Sequence, residues 1–436
     1  MLVYLLLGLS LAGCITNTNN ASVQPLRYYA VRNKSVGFEG IIWEYNDHCK
    51  KIEDKIEIVE FDDEEELTTK LTTELMAGCG PDIISLATIS RCSLSFDKLL
   101  TQKIFADIDE VINQDTSANK IKIDDYNQAA LNAGVFQGER FFIPAFYEPN
   151  MLTTTKEKIE KYSEYLKNGL TVEAVLRVYD AISREENKIA LFQAEDEYET
   201  LLYRFIDENV DFSKKLHSFD TVSFKHVLYG ISDIIKKERE QSNGNENERT
   251  FMFSAAGVSN LLSFAEACVN TEEKGESLLV LNEVSANPVN ATANIYEAFA
   301  INKSTVNKLK ALPFIKFLLS EQFQNDFCGA SVTTYDPISS NGIGWYYPVN
   351  NNSFKQLEKT AQKLTYGKNN KQADEKMLDS FVSKVDQIKD YRLYVQYEYY
   401  NNKVIGENVE NFLNSEITKD QFINQLISKT EIYFDE

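Results

Sequence analysis

Histidine is scarce in this chain of 436 residues, which holds three, at positions 48, 217 and 226, and only two tryptophans. There is no HExxH pair, nucleophile elbow, Walker loop or dinucleotide fingerprint, so metalloprotease, serine-hydrolase and nucleotide-driven chemistry have no motif to rest on. Ser95-Phe-Asp-Lys98 matches SxxK, but neither KTG nor SDN accompanies it. Beyond Cys14 there are five cysteines, Cys49, Cys79, Cys92, Cys268 and Cys328. Their number is odd and none is spaced as CxxC, which indicates neither a zinc site nor a full disulfide framework. Most read as small buried hydrophobes. Basic residues are outnumbered, 45 Lys and Arg against 66 Asp and Glu, for a net charge of −21. Such a surface repels phosphate backbones and acidic headgroups, so nucleic acid is not an expected partner. No internal repeat or low-complexity block is present.

What is present begins with size. A length prior of ~150 residues per domain gives two or three domains, and 43% apolar with 25% charged residues is ordinary globular composition. The apolar run MLVYLLLGLSLAGC is too short to span a bilayer at ~20 residues, but suits the core of a signal peptide. A buried terminal strand or helix is the other reading. Leu11-Ala12-Gly13-Cys14 resembles the bacterial lipobox, which implies cleavage before Cys14 and diacylglyceryl attachment to its sulfur. Two acyl chains anchor stably. The Lys or Arg that usually precedes such a core is missing. After Cys14, ITNTNNASVQP has no periodicity and reads as a tether.

From residue 26 strands and helices alternate. RYYAV (27–31) is β-rich, Gly40 to Lys51 places Ile41, Tyr45 and His48 at helical spacing, and KIEIVEF (55–61) alternates like a strand. Asp62 or Asp63 can cap a helix with an acidic first turn, a Leu67, Leu71, Leu75 stripe and a stop at Gly78. Gly80-Pro81-Asp82 then turns into a buried strand at Ile83-Ile84. Successive β-α units predict a parallel sheet covered by helices, with ligands beyond the carboxyl ends of its strands. Those ends are the loops at 32–35, which holds Asn33, and 85–88, which holds Thr88. Further on, 172–184, 198–210 and 224–237 are amphipathic helices whose aromatic stripes read as core. Pro313 predicts a kink or a later start for a helix near Asn307. Residues 366–436, including DYRLYVQYEYY (390–400), read as terminal helices.

Four blocks carry a family resemblance: TTKLTTELMAGCGPDIISL with IFADIDEVI (104–112), GVFQGERFFIPAFYE, YEAFAINKSTVNKLKALPFIKFLLSEQFQ (296–324) and WYYPVNNNSF (345–354). In order and placement they resemble the extracellular solute-binding proteins, family 1, of ABC importers, over most of residues 26 to 365. The resemblance implies a class II, two-lobed, periplasmic-binding-protein-like α/β fold, each lobe a mainly parallel sheet flanked by helices and joined by hinge strands. It places the N-terminal lobe at 26–145 and 296–330, and the C-terminal lobe at 146–295 and 331–436, after a signal peptide (1–13) and a tether (14–25).

By the same resemblance, the segment after Pro144 crosses between the lobes at the floor of a cleft, where Phe146, Tyr147 and Glu148 meet a solute. Aromatic faces stack on sugar rings and a carboxylate accepts hydrogen bonds from hydroxyls. Tyr147 has a plain structural alternative as core, and Glu148 one as an exposed hinge residue. Trp345 and Tyr346 are further candidates, for stacking or for packing. Val258, Ser259, Leu86 and Thr88 stand where many sugar binders carry Trp or Asp, which leaves the solute open. The resemblance implies a monomeric lipid-anchored receptor outside the cytoplasm, without a cofactor, that passes a solute, a sugar or oligosaccharide, to ABC permease subunits. A lipid-anchored polysaccharide hydrolase and a receptor for peptides or other noncarbohydrate solutes are the alternatives.

Overall fold

A computed structural model describes residues 24–32, 40–185, 189–192, 195–212, 214–242, 250–255, 257–285, 288, 290–306, 308–333 and 346–435. Cys14, Asn33 and Trp345, together with the signal peptide and most of the tether, lie outside the described residues. The strands of the two larger sheets are β1 (Leu26–Val31), β2 (Ile56–Phe61), β3 (Ile83–Ser85), β4 (Ile143–Pro144), β5 (Phe146–Thr155), β6 (Leu278–Asn282), β7 (Thr292–Ile295), β8 (Ala298–Ile301), β9 (Tyr347–Pro348) and β10 (Asp390–Leu393). The chain divides into two compact units, one holding the described residues through Phe146 with Tyr296–Gln324, the other Tyr147–Ile295 with Asn325–Glu436.

In the first unit the strand order is β2-β1-β3-β8-β4. β1 pairs in parallel with both β2 and β3, whereas β8 is antiparallel to β3 and β4. Helix α1 (Gly40–His48) buries Ile41 and Tyr45. Helix α2 (Glu64–Met76) shows how local chemistry sets both of its ends. Asp63 accepts from Glu66 N at 2.9 Å, Glu64 to Glu66 load the positive end of the dipole, and Leu67, Leu71 and Leu75 are buried. At the other end Gly78 takes φ 71°, and Cys79 N and Gly78 N bond back to the carbonyls of Glu74 and Leu75. That is the Schellman pattern, which needs a left-handed residue where glycine stands. After β3, the short helix α3 (Leu86–Arg91) starts from a Ser85 cap.

The second unit's sheet runs β6-β5-β7-β10, with β9 also paired to β5. Its pairing is mixed rather than mainly parallel: β6–β5 and β5–β7 are antiparallel and β7–β10 parallel. The reason is topological, since the chain leaves the first unit along β5 and returns to it along β7. Helices α4 (Val172–Ile182), α5 (Glu195–Asp207) and α6 (Val222–Ser242) occupy the expected amphipathic stretches. Val175, Val178, Leu202, Ile206, Leu228 and Ile231 from them form one apolar cluster.

Of two later segments, the first takes the later helix start that Pro313 allows and the second differs from the sequence expectation. A 3-10 turn (Lys308–Ala311) precedes α7 (Leu312–Leu318), which carries Pro313 in its first turn. The ring is accommodated there because those amides have no helical acceptor to lose. After α8 (Glu321–Phe327), residues Asp390–Leu393, read as helical, form β10 instead. Its register with β7 supplies backbone partners that a local propensity argument does not see. Beyond β10 come α9 (Val395–Tyr400), a π-helical turn (Asn401–Gly406), α10 (Glu407–Leu413) and α11 (Lys419–Asp435). Tyr400, Val409, Phe422 and Leu426 join the cluster of α4 to α6.

Candidate functional site

Strand register lays a polar surface on one face of the second unit's sheet. Asn150, Thr292 and Asp390 stand side by side on β5, β7 and β10, and Glu148, Asn294 and Arg392 form the adjacent row. Because strand side chains alternate, Pro149, Ala293 and Tyr391 point the other way, into the core. The polar rows are tied together. Asn150 and Asn294 exchange amide hydrogen bonds of 3.2 and 3.0 Å, Asn150 Nδ2 also donates to Thr292 Oγ1 at 2.9 Å, and Arg392 Nε donates to Asp390 Oδ2 at 3.0 Å.

Opposite this face stand two helices. Thr200, Tyr203, Arg204 and Asp207 recur at i, i+3, i+4 and i+7 on α5, the side away from its buried Tyr198, Leu201, Leu202 and Phe205. Tyr394, Tyr397 and Asn401 come from the α9 end. Together with Glu283 and other residues of the second unit they line an open cavity of about 1000 Å³, at the upper end of small-molecule site volumes. Arg204 is ion-paired with Glu283. Asp207 holds the least ordinary carboxyl group. Burial raises it to about 8, against the opposing pull of the Asn401 hydrogen bond and the Arg204 charge. With its amide turned to donate, Asn401 reaches Asp207 Oδ1 at 2.9 Å. Burial also raises Tyr394 and Tyr397, which keeps their hydroxyls protonated as donors.

The residues singled out in the sequence are dispersed. Thr88 is 3% exposed in the first unit, its Oγ1 3.2 Å from Tyr28 Oη and 3.0 Å from Ser85 Oγ. Phe146 is 1% exposed, also in the first unit. Tyr147, 2% exposed, stacks on Tyr347 at 5.6 Å and meets Tyr391 edge-on at 5.1 Å. Glu148 is half-buried and opposite Asn294, in line with the cavity wall. Tyr346 stacks with Phe327 at 6.4 Å. Val258 and Ser259 are buried. The SxxK serine is a helix cap: Ser95 Oγ accepts from Lys98 N at the head of Phe96–Thr101. Arg204, Asp207, Tyr397 and Asn401 escaped sequence reasoning. The signal available was a polar series at helical spacing on the side of α5 away from the core.

No family model matches the chain, and no curated protein matches it. Solved structures do match over nearly its whole length. An oligogalacturonide-binding periplasmic protein from Yersinia enterocolitica superposes with TM-score 0.54 at 13% identity, covering 94% of this chain and 99% of that one. The sugar-binding protein MalE from Xanthomonas citri gives 0.54 at 13%, with 94% and 98% covered. The extracellular solute-binding protein family 1 from Alicyclobacillus acidocaldarius gives 0.51 at 14%, with 95% and 99% covered. The chain has the fold of the extracellular solute-binding proteins. In this solute-binding fold the described cavity belongs to the second unit alone. No helix among the described residues is long and apolar enough to cross a membrane.

Proposed function

We propose that this protein is the solute-binding component of an ABC importer and captures a saccharide in the cavity of its second unit. The observation that carries the reading is the pairing of a hydrogen-bonding sheet face, Asn150, Thr292 and Asn294 with Glu148 in line, with a wall of Tyr203, Tyr394 and Tyr397. A pyranose ring offers apolar faces to aromatic rings and a rim of hydroxyls to amides and carboxylates, so it needs both surfaces in one pocket. The neighbours in Yersinia and Xanthomonas are named for oligogalacturonide and sugar binding, which supports the class of solute. Glu148 belongs to the site in this reading, whereas Tyr147 turns to the opposite face of the strand and packs on Tyr347 and Tyr391.

Anchoring through lipidated Cys14 on the outer face of the cell membrane, delivery to permease subunits and a monomeric state complete the proposal. The chain binds and does not turn over its ligand. A thermal-shift screen of neutral, charged and aminated oligosaccharides beside peptides tests it, because a ligand that binds only the folded state raises the melting temperature by mass action. A saccharide that stabilises the chain without releasing cleavage products supports the reading. Stabilisation by peptides alone, or release of shorter sugars, overturns it.

A further inference from the structure

We infer that the cavity selects a saccharide bearing an ammonium group, an amino sugar, with Asp207 as its counter-charge. The inference rests on the proposed saccharide reading and adds the charge class of the ligand. Among the described residues that line the cavity are four carboxyl groups, Asp207, Glu208, Glu283 and Asp390, against two guanidiniums and no lysine. Both guanidiniums are held by acids of the same wall, Arg204 by Glu283 and Arg392 by Asp390. An anionic sugar therefore meets a surplus of negative charge and arginines that already have partners. Asp207 stands at the last position of α5 with the neutral Asn401 amide as its hydrogen-bond donor.

Ionising a buried carboxyl is costly until a cation arrives to offset the loss of water. This one is protonated around neutral pH, its pKa raised to about 8 first by burial. The groups that bear on it are Arg204 from α5 and Glu208 just after it, Arg392 from β10, Tyr394 just before α9, and Tyr397 and Tyr400 within α9. Docking of an ammonium within ion-pair distance breaks the Asp207 O–H bond. Its proton goes to solvent, and the carboxylate left behind pairs with the ligand. A neutral sugar has nothing to drive that ionisation.

Isothermal titration of the purified chain at about pH 6, where sugar amines are charged, compares three series: glucosamine oligomers, their N-acetylated counterparts and oligogalacturonides. The expected result is at least tenfold tighter binding of the amine series than of the acetylated one. It should be accompanied by proton release, read as a heat that changes with the ionisation enthalpy of the buffer. Asp207→Asn is expected to abolish both the preference and the proton release. Equal or tighter binding of the acetylated or uronate series overturns the inference and leaves the saccharide reading standing. Failure of all three series, with the chain folded by circular dichroism, overturns both.

Discussion

The Asn401 amide donates to both carboxylate oxygens of Asp207, at 2.9 and 3.3 Å, linking the first residue of the π-helical turn to the last residue of α5. A π turn adds a residue to the helical repeat and is enriched at functional sites. Here it follows α9 directly, where Tyr394 and Tyr397 line the cavity together with Asn401 and Asn402. The carboxyl is thus fixed in position by a neutral donor.

That arrangement fixes a sign for the dependence of stability on pH. Asp207 titrates at about 8 in the folded chain, against an ordinary carboxyl value of 3.8. Folding therefore favours its protonated form. The associated stability is complete below about pH 4, declines as pH rises, and is gone above about 8. Asp207→Asn keeps a neutral hydrogen-bonding group, so its melting temperature should fall less than that of the parent chain between pH 5 and 9. Parallel melting curves across that range would show that the carboxyl is not raised.

Glu148 offers a separation of binding from stability. It is half-buried at the end of the row it shares with Asn294 and Arg392. Glu148→Gln retains the shape and removes the charge. We expect saccharide affinity to drop by about tenfold, the cost of one charge-assisted hydrogen bond becoming neutral. The melting temperature should stay within a degree or two. Unchanged affinity in calorimetry would take Glu148 out of the site.

For Tyr147 the balance tips toward stability. Its ring is 2% exposed and lies between Tyr347 and Tyr391. Tyr147→Ala leaves a large void and is expected to cost about 3–5 kcal/mol of stability, as aromatic-to-alanine changes in cores do. Tyr147→Phe preserves the stacking and should cost far less. Denaturant unfolding followed by intrinsic fluorescence checks both, and equal midpoints for Ala and Phe would contradict the packing role.

How much of this was legible beforehand follows from how local each signal is. The Asp63 cap, the Leu67–Leu71–Leu75 stripe and the Gly78 stop act within one helix, and all three can be read in sequence. Pro313 allowed two outcomes, and the later helix start is the one adopted. Asp390–Leu393 was out of reach because its strand state depends on β7, nearly a hundred residues earlier. The cavity is harder still, drawing its walls from segments between Asn150 and Asn402. A polar series such as Thr200, Tyr203, Arg204 and Asp207 looks the same in sequence whether it meets solvent or a sheet. Of the residues expected at a site, Glu148 owes its alignment with the cavity to register, and register is a tertiary property.

The cysteines yield a prediction independent of any ligand. Cys49, Cys79, Cys92, Cys268 and Cys328 form no disulfide; the last three are buried and the first two half-buried. Burial raises Cys268 to about 12 and lifts Cys328 and Cys92 as well. Reductant should leave the melting temperature unchanged. A thiol reagent applied to the native chain should modify Cys49 and Cys79 well before the other three, because the thiolate is the reactive form. A drop in stability on reduction would reveal a disulfide and refute the assignment.

Glu297 makes the most demanding test of the first unit. Its side chain is fully buried, and Oε1 accepts from Leu86 N and Ala298 N, both at 2.9 Å. One carboxylate oxygen therefore serves the start of α3 and the start of β8, while its own carbonyl accepts from Ala145 N beside β4. Glu297→Ala strands two buried amides, each costing about 1–3 kcal/mol when unsatisfied. Glu297→Gln keeps an acceptor in place and should recover much of the loss. Hydrogen exchange separates this from a general loosening of the unit. In the Ala variant Leu86 and Ala298 should exchange much faster while the amides of β1 and β2 hold, whereas uniform acceleration would show that Glu297 is filling space rather than joining these elements.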